Sequence, residues 1–209
     1  MKKIISLTLL ILLSATAVYA QKRITLPAAD LQFLSKPLGN ALLQRRSVRS
    51  YDATKGVSEL QLATLLWAAC GISDTQSGKI TAPSAVNMQD IKVYVCTDKG
   101  ACLYDAKTHT LIPVTDADVR PALAGQQKSV IDAPVHLLLV SDQDGRDRRN
   151  ERWGVIDGGY VSQNVYLACT AMGLQTVARA MMDHEAVRKE LKLSDTVDIL
   201  LDHPVGYGK

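Results

Sequence analysis

The spacing of hydrophobic residues predicts three helices whose ends are marked by suitable residues. Residues 57–71, VSELQLATLLWAACG, carry a capping box formed by Ser58 and Gln61 at the start, and Gly71 suits the end. A longer helix is predicted over residues 155–172, before a glycine. A shorter helix, DHEAVRKEL, has Asp183 in the capping position.

Other segments have the composition and length of β-strands. Residues 133–142, APVHLLLVSD, form a continuous apolar run, which is typical of a strand buried on both faces. Further strands are predicted at 90–96, 101–106, 110–114, 174–180 and 197–208, with a short helix near 118–124. The charged segment 142–154 is predicted to be a solvated loop. Because helices and strands mix without strict alternation, the fold class is α+β in one domain.

The first twenty residues have the pattern of a secretory signal peptide. Lys2 and Lys3 precede an apolar run from Ile4 to Leu13, and small residues lead to Ala20. The apolar run is too short for a stable membrane anchor. We therefore expect cleavage after Ala20, export to a bacterial periplasm, and a mature domain over residues 21–209.

Charge and cysteine content exclude several classes of function. The formal net charge is +3, or +1 without the two leader lysines, which argues against nucleic acid or an anionic membrane as a partner. The four cysteines form no CxxC pair and show no zinc-site spacing. Cys70 and Cys169 lie in apolar helical patterns and are expected to be buried. Cys96 and Cys102 flank a turn, so a disulfide between them stays open as an alternative.

An arginine-rich segment is the clearest candidate for chemistry. Arg45, Arg46 and Arg49 surround Ser47 in the stretch RRSVRSYD. A guanidinium fork and a hydroxyl together suit a phosphate group, although a solvated basic face gives the same pattern. No GxGxxG, P-loop, GxSxG or HExxH motif is present. The residues by themselves therefore indicate an anion site and name no reaction.

Five stretches in order give the chain a family resemblance. RRSVRSYD, APSAVNMQ, AGQQ, DGGYVSQNVYLACTAMGL and HPVGYGK resemble the nitroreductase superfamily of FMN-dependent oxidoreductases, over about residues 41–209. The resemblance implies a sandwich with a central, mostly antiparallel sheet flanked by helices. It also implies a homodimer that binds two FMN molecules in pockets shared between subunits, and a small organic substrate.

The resemblance assigns twelve residues to the cofactor. Arg45 and Ser47 match positions that hold the phosphate and ribityl chain, and Arg49 matches the basic residue at the pyrimidine edge of the flavin. Gln126 matches an amide facing the pyrimidine. The full set is Arg45, Arg46, Ser47, Arg49, Pro83, Ser84, Ala85, Asn87, Gln126, Ala180, Met181 and Lys209.

The remaining assigned residues lie in three segments. The loop from Pro83 to Asn87 matches one that the second subunit lays against the ring, although an ordinary turn has the same sequence. Ala180 and Met181 fall where many relatives have Glu-Gly, next to the flavin N5 atom that accepts hydride. Lys209 stands where relatives continue to a further basic pair for the phosphate.

The differences from the family pattern at Ala180 and Met181, together with the signal peptide, lead to competing expectations about function. Met181 narrows the approach to the ring, and export removes the protein from nicotinamide pools, so we expect an electron donor other than NADH or NADPH. Arg179 beside it is either an anion contact or a surface residue. The leading hypothesis is an FMN-dependent oxidoreductase. The alternatives are an exported flavin-binding protein without turnover, for storage or sensing, and a secreted adhesion domain with surface arginines.

Overall fold

The computed structural model describes residues 22–143 and 151–209. The predicted signal peptide and most of the predicted charged loop lie outside these residues. Within the described ranges, no helix combines the length and the apolar character needed to cross a membrane.

The main structural element is a seven-stranded sheet in which every pairing is antiparallel. Its strand order is β1-β6-β5-β4-β7-β9-β8, and β2 and β3 form a separate hairpin. The strands are β1 Ile24–Thr25, β2 Ile72–Asp74, β3 Lys79–Ile80, β4 Ile91–Thr97, β5 Gly100–Asp105, β6 Thr110–Thr115, β7 Val135–Ser141, β8 Gln175–Thr176 and β9 Asp198–Gly206.

Helices cover both faces of this sheet. The α-helices are α1 Leu38–Gln44, α2 Glu59–Cys70, α3 Arg120–Ala124, α4 Glu151–Ala171 and α5 His184–Glu190. Short 3-10 helices occur at Leu31–Leu34, Ala85–Asn87 and Lys128–Asp132. The architecture is α+β with a large antiparallel sheet, as the sequence predicts.

The central strand β7 explains why the core has two halves. Leu137 and Leu139 belong to the cluster that contains α2 and α4, whereas Leu138 and Val140 belong to the cluster that contains α3 and α5. Side chains alternate across a strand, so a strand covered on both faces is apolar at every position. The continuous apolar run read from the sequence is therefore confirmed as a doubly buried strand.

Capping residues in the sequence correctly predicted the ends of two helices. Ser58 and Gln61 form both bonds of the capping box, and Gly71 is the C-cap of α2. Asp183 caps α5 by accepting from the backbone N–H of Ala186. These predictions are confirmed because each depends on side chains within one helical turn.

Two element boundaries were wrong. The helix α4 begins at Glu151, four residues before the predicted Val155, within the segment expected to be loop. The predicted strand over 174–180 is reduced to Gln175–Thr176, and Arg179 pairs with Asp202 only through an isolated bridge. Polar and charged residues at a helix start resemble a loop in composition, which accounts for the first error.

The hairpin formed by β4 and β5 leaves its two cysteines unbonded. Cys96 lies opposite Ala101, and Cys102 lies opposite Val95, so the two side chains point to opposite faces of the sheet. Both residues are free thiols, as are the buried Cys70 and Cys169. The register therefore rules out the disulfide alternative.

Candidate functional site

The arginine segment meets α4 at Tyr166. The guanidinium carbon of Arg45 lies 5.0 Å from the centre of the Tyr166 ring, within range of a cation–π contact. The Ser47 hydroxyl is 2.8 Å from the Tyr166 hydroxyl, which also accepts the backbone N–H of Ala178 at 2.8 Å. The structure thus brings Arg45 and Ser47 together around one aromatic side chain.

The ends of this segment are fixed by backbone contacts. Ser47 bridges to Thr176 at the edge of the sheet, and the Val48 N–H donates to the Thr176 carbonyl at 3.0 Å. Tyr51 is fully buried and donates its hydroxyl proton to the carbonyl of Val48, with the Pro204 carbonyl at 3.1 Å. Burial raises the pKa of Tyr51 far above its ordinary value, so it remains a donor. The polar side chains between these contacts are held on an ordered backbone.

The other two arginines differ in their surroundings. Arg46 is exposed and turns back to the main chain, where it donates to the carbonyls of Leu43 and Arg45, each at 2.8 Å. Arg49 is exposed. Arg46 therefore contributes mainly to the local backbone, whereas Arg49 presents its guanidinium to solvent on the same segment.

A buried histidine, His203, packs against the ring of Tyr166. The rings of Tyr166 and His203 meet edge to face, with centroids 5.3 Å apart. His203 is fully buried, and its two ring nitrogens lie 2.8 Å from the Ser162 hydroxyl and 3.1 Å from that of Thr176. Neither Tyr166 nor His203 was predicted from the sequence to belong to the site. Their only signal was a polar position inside a pattern that is otherwise apolar.

Because His203 is buried, we expect the folded protein to lose stability at low pH. Burial lowers the pKa of His203 to about 4, while neighbouring Asp202 opposes that shift. Because the folded-state pKa is below the unfolded value, stability is fully present above about pH 6.5 and is lost as pH falls through 4. We expect His203 to account for a loss of about 3 kcal/mol by pH 4. Urea unfolding across this range, compared with His203→Asn, checks it; equal pH slopes in the two proteins would contradict it.

The loop from Pro83 to Asn87 is held in an unusual backbone conformation. Val86 and Asn87 have φ angles of 45° and 56°, and Gln89 just beyond has 51°. Left-handed φ is uncommon outside glycine and is an outlier for a β-branched residue such as Val86. The Ser84 hydroxyl accepts the N–H of Gln89, and Asp157 on α4 accepts that of Ala85. The loop is thus no ordinary turn, and Val86, 78% exposed, lies at its tip.

Gln126 and Met181 line a common cavity of about 720 Å³. Gly125, before Gln126, has a φ of 53°, a left-handed backbone conformation that favours glycine. Lys128 and Asp183 supply one charge of each sign to the same wall. Ala180 is exposed beside it, and Met181 is 63% exposed. The structure therefore brings together two assigned segments that are far apart in sequence.

Arg179 is not a surface residue and has no donor free to contact an anionic ligand, so both sequence interpretations were wrong. It is 6% exposed, and its side chain forms an ion pair with buried Asp202 at 2.7 Å. Its remaining donors are also engaged by protein acceptors, namely the Gln127 amide oxygen and the carbonyls of Leu123, Ala124 and Met181. The Arg179 side chain therefore joins the segment of Leu123 and Ala124 to the segment of Met181.

Lys209 is exposed and lies near an acidic partner. Its ammonium group is 3.0 Å from a carboxylate oxygen of Asp132. A phosphate at this position would therefore compete with Asp132 for the lysine.

Comparison with known proteins identifies the family. A model of the nitroreductase family matches residues 42–207, a range that includes the arginine segment, the loop and the cavity. The chain belongs to the nitroreductase family. A protein of Methanocaldococcus jannaschii whose name assigns it as a nitroreductase is 30% identical over 182 residues, which cover 81% of this chain and 90% of that protein.

Solved structures agree with the family assignment. A crystal structure from Ralstonia eutropha, also titled as a nitroreductase, is 30% identical and covers 92% of this chain and 93% of its own, with a TM-score of 0.80. A chain of the E. coli microcin synthetase McbBCD complex is 17% identical, with a TM-score of 0.70 over 100% of this chain and 85% of its own, and shares the fold alone. The nitroreductase family supports an oxidoreductase activity, and the fold itself does not specify a substrate.

Proposed function

We propose that this nitroreductase-family protein is an FMN-dependent oxidoreductase that transfers a hydride or electrons to or from a small organic substrate. The observation that carries the proposal is the pairing of Arg45 and Ser47 around Tyr166, in a chain that belongs to the family. A guanidinium and a hydroxyl on an ordered backbone suit a phosphate.

In this proposal, the site residues would hold FMN at both ends. Arg45 and Ser47 would hold the phosphate and ribityl chain, with Lys209 adding charge. Arg49 and Gln126 would contact the pyrimidine edge of the ring, where a cation stabilises developing negative charge. The loop from Pro83 to Asn87 would come from the second subunit. When bound, FMN supplies the redox chemistry, and the protein supplies binding, orientation and charge.

The absorption spectrum of the purified protein tests this proposal. We expect a yellow protein whose flavin bands bleach with a reductant and return with an oxidising substrate. A yellow protein that no donor reduces would favour the alternative of a flavin-binding protein without turnover. A protein that stays colourless after incubation with FMN would contradict both flavin hypotheses. It would favour the remaining one, a secreted adhesion domain with surface arginines.

The exposed surface of two contacting helices supports a homodimer. The helices α1 and α4 pack together, and both expose large apolar side chains to solvent. These are Leu38, Leu42, Leu43, Val155, Ile156 and Tyr160, each 47% to 71% exposed. Each helix therefore offers exposed apolar side chains that a second chain could bury.

Two small residues of α4, Gly158 and Ser162, face the interior of the chain. A Cβ atom at Gly158 would meet Leu200 of β9 at 2.7 Å, and Ser162 is buried against His203. Both residues therefore serve packing within one chain. Gly159 has open space beside it and belongs to the outward face with Tyr160.

We expect light scattering to give the mass of two chains. The FMN site as proposed needs the loop of one subunit and the arginine segment of the other, so binding and dimerisation are linked. Tyr160→Glu places a charge in the apolar face and should shift the protein to monomers. A single-chain mass with FMN bound would contradict the proposal.

The electron donor is proposed to be something other than a nicotinamide, such as a membrane quinol, a reduced partner protein or the oxidisable substrate itself. Met181 covers part of the cavity wall, and no carboxylate stands at Ala180. We expect anaerobic stopped-flow mixing to show slow reduction by NADH and NADPH, and faster reduction in Met181→Gly. Rapid, saturable bleaching of the parent by micromolar NADH would overturn this prediction.

Export to the periplasm remains a proposal that is based on the leader sequence. Mass spectrometry of the protein from its native host should find Gln21 as the first residue. An intact Met1 or Lys2 would contradict it.

A further inference from the structure

The Tyr166 hydroxyl lies between two groups that fix the direction of its hydrogen bonds. The backbone N–H of Ala178 can only donate, and it donates to the Tyr166 oxygen at 2.8 Å. The Ser47 hydroxyl lies 2.8 Å from the same oxygen, and either hydroxyl has a proton to offer the other. A phenol is more acidic than an aliphatic alcohol and is the better donor of the two. Tyr166 therefore accepts from Ala178 and donates to Ser47.

This direction leaves the Ser47 hydroxyl with its own proton to donate. A serine hydroxyl has one proton and two lone pairs, and the bond from Tyr166 occupies a lone pair. The Ser47 side chain is exposed, and Tyr166 is its one hydrogen-bond partner in the part of the chain that the structure describes. Ser47 therefore offers a proton to an acceptor that approaches from solvent.

The Tyr166 ring orients a second donor beside this serine. The Arg45 guanidinium lies over the ring, which itself packs edge to face with buried His203. The attraction between a cation and an aromatic face orders the guanidinium before any ligand binds. The ion pairs found in residues 22–143 and 151–209 do not include Arg45. Its positive charge is therefore available to an anionic ligand.

Arg46 covers two acceptors on the same segment. The helix α1 ends at Gln44, and carbonyl groups at a helix C-terminus carry partial negative charge, which repels an anion. The Arg46 guanidinium donates to the carbonyls of Leu43 and Arg45 at this end of the helix. The segment therefore presents the donors of Arg45 and Ser47, while these two carbonyls are already engaged.

We propose that Tyr166 is a positioning residue, which makes Arg45 and Ser47 a donor-only subsite for the dianion of a phosphate monoester. That this ester is FMN rests on the proposed function. A phosphate dianion has only acceptor oxygens, and it forms charge-assisted hydrogen bonds with both residues. An alcohol accepts only weaker, neutral bonds from Ser47. The subsite therefore selects a flavin that ends in a phosphate over one that ends in a hydroxyl.

Tyr166→Phe separates the effect of the hydroxyl from that of the ring. The variant keeps the aromatic face under Arg45 and the ring contact with His203, but it has no proton to donate to Ser47. We expect its Kd for FMN to rise about tenfold. Riboflavin has the same ring and ribityl chain without the phosphate, and its Kd should change by less than about twofold. Equal losses for both flavins would indicate general damage to the site and would overturn the proposal.

A double-mutant cycle shows whether Tyr166 acts through Ser47. In fluorescence titrations at fixed ionic strength, Ser47→Ala should weaken FMN binding about tenfold. Adding Tyr166→Phe should cause no further loss, because the hydroxyl that Tyr166 orients is already gone. Independent effects would multiply to roughly a hundredfold and would contradict the proposal. Tyr94→Phe is the matched control, since two strands separate β4 from β8, and it should bind FMN as the parent does.

Inorganic phosphate separates this inference from the proposed function. Phosphate in the subsite should raise the thermal midpoint of the parent more than those of Ser47→Ala and Tyr166→Phe, against chloride at equal ionic strength. That result in a protein that binds no FMN would refute the proposed function and leave the subsite intact. FMN binding that is unchanged in both variants would refute the subsite and leave the proposed function intact.

Discussion

Replacing Arg45 with alanine should weaken FMN binding by about 1.5 to 3 kcal/mol, or roughly 10- to 150-fold in Kd. The phosphate would lose a charge-assisted, two-pronged contact. Because Tyr166 already orients the guanidinium group, little ordering is needed when the phosphate binds. Fluorescence titration at fixed ionic strength measures the effect.

Three further variants sharpen this test. Arg45→Lys keeps the positive charge but loses the two-pronged geometry of the guanidinium group. Its affinity for FMN should therefore lie between those of the parent and Arg45→Ala. Arg49→Ala should retain moderate affinity and lower the reduction potential of the bound flavin, because its proposed place is at the ring. Arg23, which pairs with Asp105 near the opposite edge of the sheet, is the matched control and should bind as the parent does when changed to alanine. If Arg45→Ala and Arg49→Ala both behave like the parent, the site is assigned wrongly.

Replacing Asp202 with alanine should reduce the free energy of unfolding by about 3 to 5 kcal/mol. Asp202 is fully buried between Arg179 and His136, at 2.7 Å and 3.0 Å. Without it, the guanidinium group of Arg179 stays in the core with no counter-charge, which costs more than the pair itself contributes. Urea unfolding at pH 7 measures the loss.

Paired substitutions distinguish the missing charge from a cavity. Arg179→Met combined with Asp202→Leu removes both charges and should be less destabilising than the sum of the single changes. The exposed control Arg23→Ala should stay within about 0.5 kcal/mol of the parent. A loss below about 1 kcal/mol for Asp202→Ala would show that the ion pair is not needed for the fold.

The arginine segment and the buried arginine show how far sequence reasoning extended into the site. Arg45 and Ser47 were selected because their chemistry suits a phosphate, and that choice needs no knowledge of the fold. Arg179 looked equally exposed in sequence, yet it is enclosed by Asp202 and by carbonyls more than fifty residues away. Burial of a charged residue depends on distant partners, which a local pattern does not show.

The elements whose signals are local could be predicted from the sequence. The capping box of α2, the Asp183 cap of α5 and the doubly buried run of β7 follow from bonds within one turn or from the composition of one strand. Folding of the whole chain was needed to define the register that separates Cys96 from Cys102, the stacking of Arg45 on Tyr166 and the bond from the Ala85 N–H to Asp157. These contacts join residues of different elements, and their geometry is set by how the sheet and helices pack as a whole.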